Sequence, residues 1–287
     1  MIEVEECYTE EHIKDALKKV PPHLEKTYRR IFDRIKDRDV SLARRTFTTI
    51  CLSPVRLDLK TVADMVGLGY PESIIKICTI SLVSRSGDKV QTAHFSVQEL
   101  LVISDENGSH HPCQFSAIDG QIYLAERTVD CILEQTEFLT REEAVNQASF
   151  MYAASYWDTH LAALGDVDQA IPGLQAKIDH LFTEPNIYLN RVRAADINEY
   201  QDESLWVRVL QECDPPIYRA SRMSLIKTVN ILFTQGADAL LSFQPPNWPW
   251  EKNSLTEAAQ HGQLDVLILL LSKSLSLTQD MVSPILK

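Results

Sequence analysis

The chain has 287 residues, of which 45% are apolar and 24% charged, with only nine glycines. This is the composition of a folded protein long enough for two or three domains, and glycine-rich loops are not its working parts. The net charge of −12 is uneven: residues 1–104 hold 16 Lys/Arg against 15 Asp/Glu, and residues 105–287 hold 12 against 25. An acidic second half repels phosphate backbones, which speaks against nucleic acid as its partner. A basic protein surface fits better, with a plain solvated acidic face as the alternative.

The six cysteines (Cys7, Cys51, Cys78, Cys113, Cys131 and Cys213) include no C-x-x-C pair and lie in apolar segments. That pattern predicts free core thiols in a reducing, cytoplasmic compartment. The acidic start, Met1 to Glu6, lacks the apolar stretch of a signal peptide. The longest apolar run, Val266–Leu271, is too short to span a bilayer, so no membrane is expected. The sequon Asn107-Gly108-Ser109 is then expected to stay unglycosylated.

Apolar spacing predicts a short helix over 10–19, ended by Pro21-Pro22, then helices over about 23–35 and 41–52. Asp58 reads as the N-cap of a helix Leu59–Val66 that Gly67 terminates. A short helix Glu72–Thr79 follows. The period then drops to two: Ile80–Ser84 and Val90–Phe95 flank the turn residues Ser86-Gly87-Asp88, which predicts a β-hairpin, and Ser96–Val102 opens another helix. Helices followed by a hairpin is the order of a winged-helix domain, placed at 21–104 after the end of a preceding helical segment at 1–20. Residues 105–117 read as a polar loop. A helical linker domain is expected over 105–203, with a capping box at Thr140-Arg141-Glu142-Glu143.

The C-terminal segment 204–287 contains an internal repeat. Residues 216–238 align without a gap on residues 254–276 at an offset of 38, with Ala220 on Ala258. A helix around Ser204–Glu212, with Trp206, Val209 and Leu210 inward, is expected to cap one end. The fold class is therefore mainly α, with one small hairpin.

The repeated segments, at about 214–240 and 252–276, resemble ankyrin repeats. Ala220 and Ala258 fall where a small residue lets two helices approach, Gly262 where their turn is tight, and Gly236-Ala237-Asp238 matches the family's ending. The departures are Ser224 at the turn glycine and Ser274 at the terminal one. Val20 to Ile31 resembles the helix that follows the NACHT core of fungal NLR-like (STAND) proteins. Leu57 to Ala63 and Ala93 to Leu101 resemble their GPI inositol-deacylase-type winged helix, and Met151 to His160 resembles the linker helix that comes next. The resemblance covers most of the chain and implies a cytoplasmic, non-enzymatic fragment of a signalling ATPase. Its winged helix would pack on a NACHT nucleotide-binding domain and its ankyrin surface would take a protein partner. A DNA-binding winged-helix regulator is the alternative, since residues 23–45 hold eight Lys/Arg interrupted by four acidic residues.

No G-x-x-x-x-G-K-[ST] loop, G-x-S-x-G or H-E-x-x-H occurs, so no cofactor and no catalytic residue is assigned. His110, His111 and Cys113 lack a second pair of ligands, so no metal is assigned. The resemblance makes His94 a contact for a nucleotide phosphate where a NACHT domain is present. The family's following Asp is Phe95 here, and a hydrogen bond within the wing is the alternative. Phe243, Trp248 and Trp250 lie in the proline-rich connector between the repeats. They are candidate partner-binding residues, because exposed tryptophans bury large area at low entropy cost, or they fold back on the repeats.

Overall fold

The computed structural model describes residues 22–78, 82–103, 111–165, 171–242, 244 and 251–282, with main chain only at 22–26 and 274–282. The protein is mainly α-helical, at 65% helix with few strands. Among the described residues, no helix is long and apolar enough to cross a membrane. The chain divides into two compact units, Met1–Gly120 and Gln121–Lys287. The predicted helix at 10–19 lies outside the described residues.

In the first unit, α1 (Pro22–Phe32), α2 (Val40–Leu52), α3 (Leu59–Val66) and α4 (Ser73–Ile77) precede a hairpin of β1 (Val83–Ser86) and β2 (Lys89–Thr92). Local chemistry sets α3: Asp58 Oδ1 accepts the Thr61 amide at 2.7 Å, and Gly67 closes the helix at φ +78°. The hairpin pairs Val83 with Thr92 and Ser86 with Lys89 across a Gly87-Asp88 turn. The extended segment before α3 also joins it, with Val90 N donating to Leu57 O and Leu59 N to Asp88 O. Phe95 does not extend β2 as expected. His94 caps a helix there, so Phe95 opens α5 (Phe95–Leu101) and is exposed. The segment read as a loop holds β4 (Phe115–Ser116), which pairs in parallel with β3 (Val102–Ile103). Phe32, Phe47, Leu82, Val97, Leu101 and Phe115 are buried in this unit's core.

α6 (Ala117–Leu133) leads into the second unit, followed by α7 (Arg141–Asn146), α8 (Ala148–Ala162), α9 (Leu174–Thr183) and α10 (Pro185–Tyr200). Thr140 and Glu143 form the expected capping box on α7. Two helix pairs come last: α11 (Pro216–Arg222) with α12 (Ile226–Thr234), and α13 (Ser254–Gln260) with α14 (Leu264–Val282). α11 packs on α13 and α12 on α14, so equivalent helices lie side by side.

The turns of the two pairs have one hydrogen-bond pattern at an offset of 38. Met223 N donates to Arg219 O, Leu225 N to Ala220 O and Ile226 N to Ser224 O. His261 N donates to Glu257 O, Gln263 N to Ala258 O and Leu264 N to Gly262 O. Ser224 (φ +60°) and Gly262 (φ +67°) share the left-handed conformation that closes each turn.

Residues 204–212 do not form the expected capping helix. They make two 3-10 turns, Glu203–Val207 and Leu210–Glu212. Trp206 is buried with Leu139, Ala144, Phe150 and Ala194 and donates to the Leu139 carbonyl, while Val209 is exposed. α9 flanks the first pair instead. Gln175 Nε2 donates to Thr228 Oγ1 at 3.0 Å, and Thr228 Oγ1 donates to Asp179 Oδ1 at 2.7 Å.

Candidate functional site

The middle of α10 has no wet face. Ile187 through Asp196 are all buried, so its charged residues enter the interior with its apolar ones. A buried ion costs several kcal/mol unless partner groups replace its water. Asp196 receives two such partners: Arg208, from the 3-10 segment, and Arg219 Nη2 on α11 at 2.7 Å. Arg219 Nε also lies 2.6 Å from Asp214 Oδ2, within ion-pair range although not aligned to donate. Burial pushes the Asp214 carboxyl up, and the Arg219 guanidinium beside it pulls the other way. Burial disfavours the Arg219 charge too, yet Asp214 and Asp196 together hold its pKa well above the ordinary value. Arg193 Nε donates to the Arg208 carbonyl at 2.8 Å, and its guanidinium lies 4.6 Å from the Phe138 ring centroid.

Arg191, on the same helix, is treated differently. It is 3% exposed, and its Nε and Nη1 have no hydrogen-bond partner. Its guanidinium carbon sits 5.6 Å from the Trp157 ring centroid. Burial, then the nearby Arg219 charge, push its pKa down. Arg191 lines an open cleft of about 330 Å³ together with Asp158, Glu199, Arg219 and Arg222. An adjoining hollow of about 620 Å³ shares Asp158, Thr159, Arg222 and Met223 and runs to His261 and Gln263 on the second pair. Guanidinium groups stay protonated, so such a cleft can orient and neutralise an anion but not exchange its proton through them.

The second helix pair has its own buried carboxylate. Glu257 is 1% exposed and lies 3.2 Å from both Lys252 Nζ and His261 Nε2, with Arg222 Nε at 3.8 Å. His160, on α8, is buried and neutral: Tyr152 Oη lies 2.7 Å from Nε2 and Gln121 Oε1 lies 2.8 Å from Nδ1. Gln121 Oε1 only accepts, so Nδ1 carries the proton and the Tyr152 hydroxyl donates to Nε2. Burial pulls this imidazole down to about 4, against the pull of Asp158.

His94 is exposed, and its Nδ1 accepts the Ser96 amide at 3.2 Å beside Ser96 Oγ at 2.7 Å. That makes it the N-cap of α5, bonded to the helix it opens. A phosphate contact would have to use Nε2. His111 Nδ1 accepts the Cys113 amide, and its ring stacks on Phe32 at 5.4 Å. Cys113 is buried, its thiol pushed up to about 11 by burial. Among the described residues, no group of three or more His, Cys, Asp or Glu could hold a metal ion. His110, Phe243, Trp248 and Trp250 lie outside the described residues.

The sequence reading did not single out Arg191, Asp196, Asp214, Arg219, Lys252 or Glu257. A signal was present: Arg191, Arg193 and Asp196 alternate with Val192, Ala194 and Ala195, which leaves a helix no solvent side and marks it as buried with internal partners. In comparisons with known proteins, no family model, no curated protein and no solved structure matches this chain.

Proposed function

We propose that the chain is a non-enzymatic interaction and regulatory module of an NLR-like signalling protein. Its C-terminal helix pairs act as an ankyrin-type stack that takes a protein partner, and its winged helix packs on a NACHT nucleotide-binding domain. The observation that carries this reading is the repetition of the helix-pair turn, bond for bond, 38 residues on. Stacked pairs of this kind bury a continuous core between neighbours and present extended surfaces to partners. The last helix supports it as well. Leu264, Ile268 and Leu271 are 65%, 56% and 46% exposed and share one face, an apolar surface that a partner or a further pair would cover. For the winged helix, support comes from element order: α2, an extended segment paired to the hairpin, α3, α4, then the hairpin itself.

The DNA-binding reading has exposed Arg29 and Arg30 in its favour. Against it, the second helix of a helix-turn-helix should enter the major groove. Here that helix is α4, five residues with Lys76 as its one cation. Nearby, Arg85 pairs with Glu72 at 3.0 Å, and Lys89 lies 4.0 Å from Asp58.

The test is capture of a protein partner by the full chain, compared with a Leu264→Asp/Ile268→Asp variant and a Trp248→Ala/Trp250→Ala variant. Retention by the wild type at high salt, lost in a variant that melts like the wild type, is the expected result. Steeply salt-dependent binding to random duplex DNA, with no such partner, would favour the alternative.

A further inference from the structure

The cleft over α10 is lined by a buried guanidinium, that of Arg191, which no ion pair holds. In the cluster behind it, two aspartates meet two arginines: Asp196 and Asp214 with Arg208 and Arg219. Arg193 gives Nε and Nη2 to a carbonyl and its face to aromatic rings, with Nη1 alone unbonded. Arg191 is left over, almost completely buried on the lining of the cleft, with Nε and Nη1 unbonded. Asp158 attracts it only from a distance: no ion pair joins the two, and Asp158 Oδ1 accepts the Thr159 amide at 2.9 Å. An unpaired buried donor on a charged group is among the costliest features a fold can carry.

From this geometry we infer that the cleft is a recognition site for a single carboxylate, held by Arg191 with Arg222 at its rim. Two features select that class of ligand. The Trp157 ring lies against the guanidinium, leaving the in-plane N–H edges, which suit a flat bidentate acceptor. Asp158 and Glu199 on the lining repel a phosphate dianion more than a carboxylate. The volume of about 330 Å³ accommodates an acidic side chain or a short dicarboxylate. The inference concerns α8, α10 and α11 and stands whether or not the helix pairs act as an ankyrin stack.

The probes are glutarate, acetyl-Ala-Glu-Ala-amide, acetyl-Ala-Ala-Ala with a free C-terminus, and inorganic phosphate. Each is titrated against thermal unfolding of the full chain at ionic strength balanced with NaCl. The carboxylates should raise the melting midpoint saturably, with dissociation constants on the order of millimolar. Their ranking identifies a free acid, a side chain or a chain terminus as the source. Arg191→Met keeps the packing on Trp157 and should weaken binding by about tenfold or more. Asp158→Asn removes a repelling charge and should tighten it by about threefold, which keeps the test decisive even where the Arg191 variant folds poorly. An equal response from wild type and Arg191→Met overturns the inference. So does an Asp158→Asn variant that binds no tighter, a phosphate that outcompetes the carboxylates, or the absence of any saturable response.

Discussion

The two C-terminal helix pairs share one backbone plan and carry opposite charge. Asp214 and Arg219 of the first pair stand 38 residues before Lys252 and Glu257 of the second. In each pair a buried ion is neutralised by a residue five positions earlier: Arg219 by Asp214 at 2.6 Å, Glu257 by Lys252 at 3.2 Å. The plan therefore needs an ion pair at this position and is indifferent to its direction. The neighbouring layer selects the sign. Arg219 faces Asp196 of α10, whereas Glu257 faces Arg222 of α11. Exchanging the two pairs would place like charges together, so the inversion specifies which pair stacks on which.

Removing the buried ion breaks the two pairs unequally. Arg219→Met strands Asp214 and leaves Asp196 with Arg208 alone; the two carboxylates are 4% and 0% exposed, and the loss should be about 3–5 kcal/mol. Glu257→Gln should cost less, about 1–3 kcal/mol. Its partners Arg222 and His261 reach solvent, and Lys252 keeps Gln260 Oε1 at 3.0 Å. Urea midpoints of the full chain read both. Equal losses would show that the first pair draws nothing from its second carboxylate.

His160 sharpens the contrast from outside the pairs, because it satisfies burial by staying neutral. Its folded pKa is about 4, below the ordinary 6.5. The unfolded chain therefore binds the extra proton between these values. Stability is complete above about pH 6.5, falls as pH drops toward 4, and loses nothing more from this group below that. The full loss is about 3 kcal/mol. His160→Gln should flatten the difference in unfolding free energy between pH 7 and pH 4.5. An unchanged slope would assign the acid sensitivity elsewhere.

Local rules made part of this molecule legible. Asp58, Gly67 and the Thr140–Glu143 box act within four residues, and each stands where the pattern placed it. The hairpin was legible too, but not its end: Phe95 continues the alternation, and the His94 cap on the Ser96 amide, two residues on, overrides it. Trp206, Val209 and Leu210 have helical spacing, yet burial of Trp206 beside Leu139 wins over helix continuation there. The charge cluster was illegible for a different reason. Asp196, Arg208 and Arg219 meet across 12 and 23 positions, and no spacing rule joins residues on three separate elements. The 38-residue repeat exposed the helix pairs while concealing the charge inversion inside them, since alignment by small and apolar residues ignores the sign of a buried ion.

The smallest expected effect tests the backbone plan alone. Ser224 and Gly262 occupy the same left-handed turn, at φ +60° and +67°. A side chain there carries a steric cost that glycine avoids, partly offset by the greater freedom of glycine in the unfolded chain. A Cβ at Gly262 would meet nothing within 4 Å, so the conformational term acts by itself. Ser224→Gly should therefore stabilise the chain by about 0.5–1 kcal/mol, a rise of roughly 1–4 °C in midpoint, and Gly262→Ser should lose a similar amount. Opposite signs at positions 38 apart would follow from one shared turn. If Ser224→Gly instead destabilises, the first turn is held by its serine side chain, and the equivalence of the two pairs ends at the hydrogen bonds.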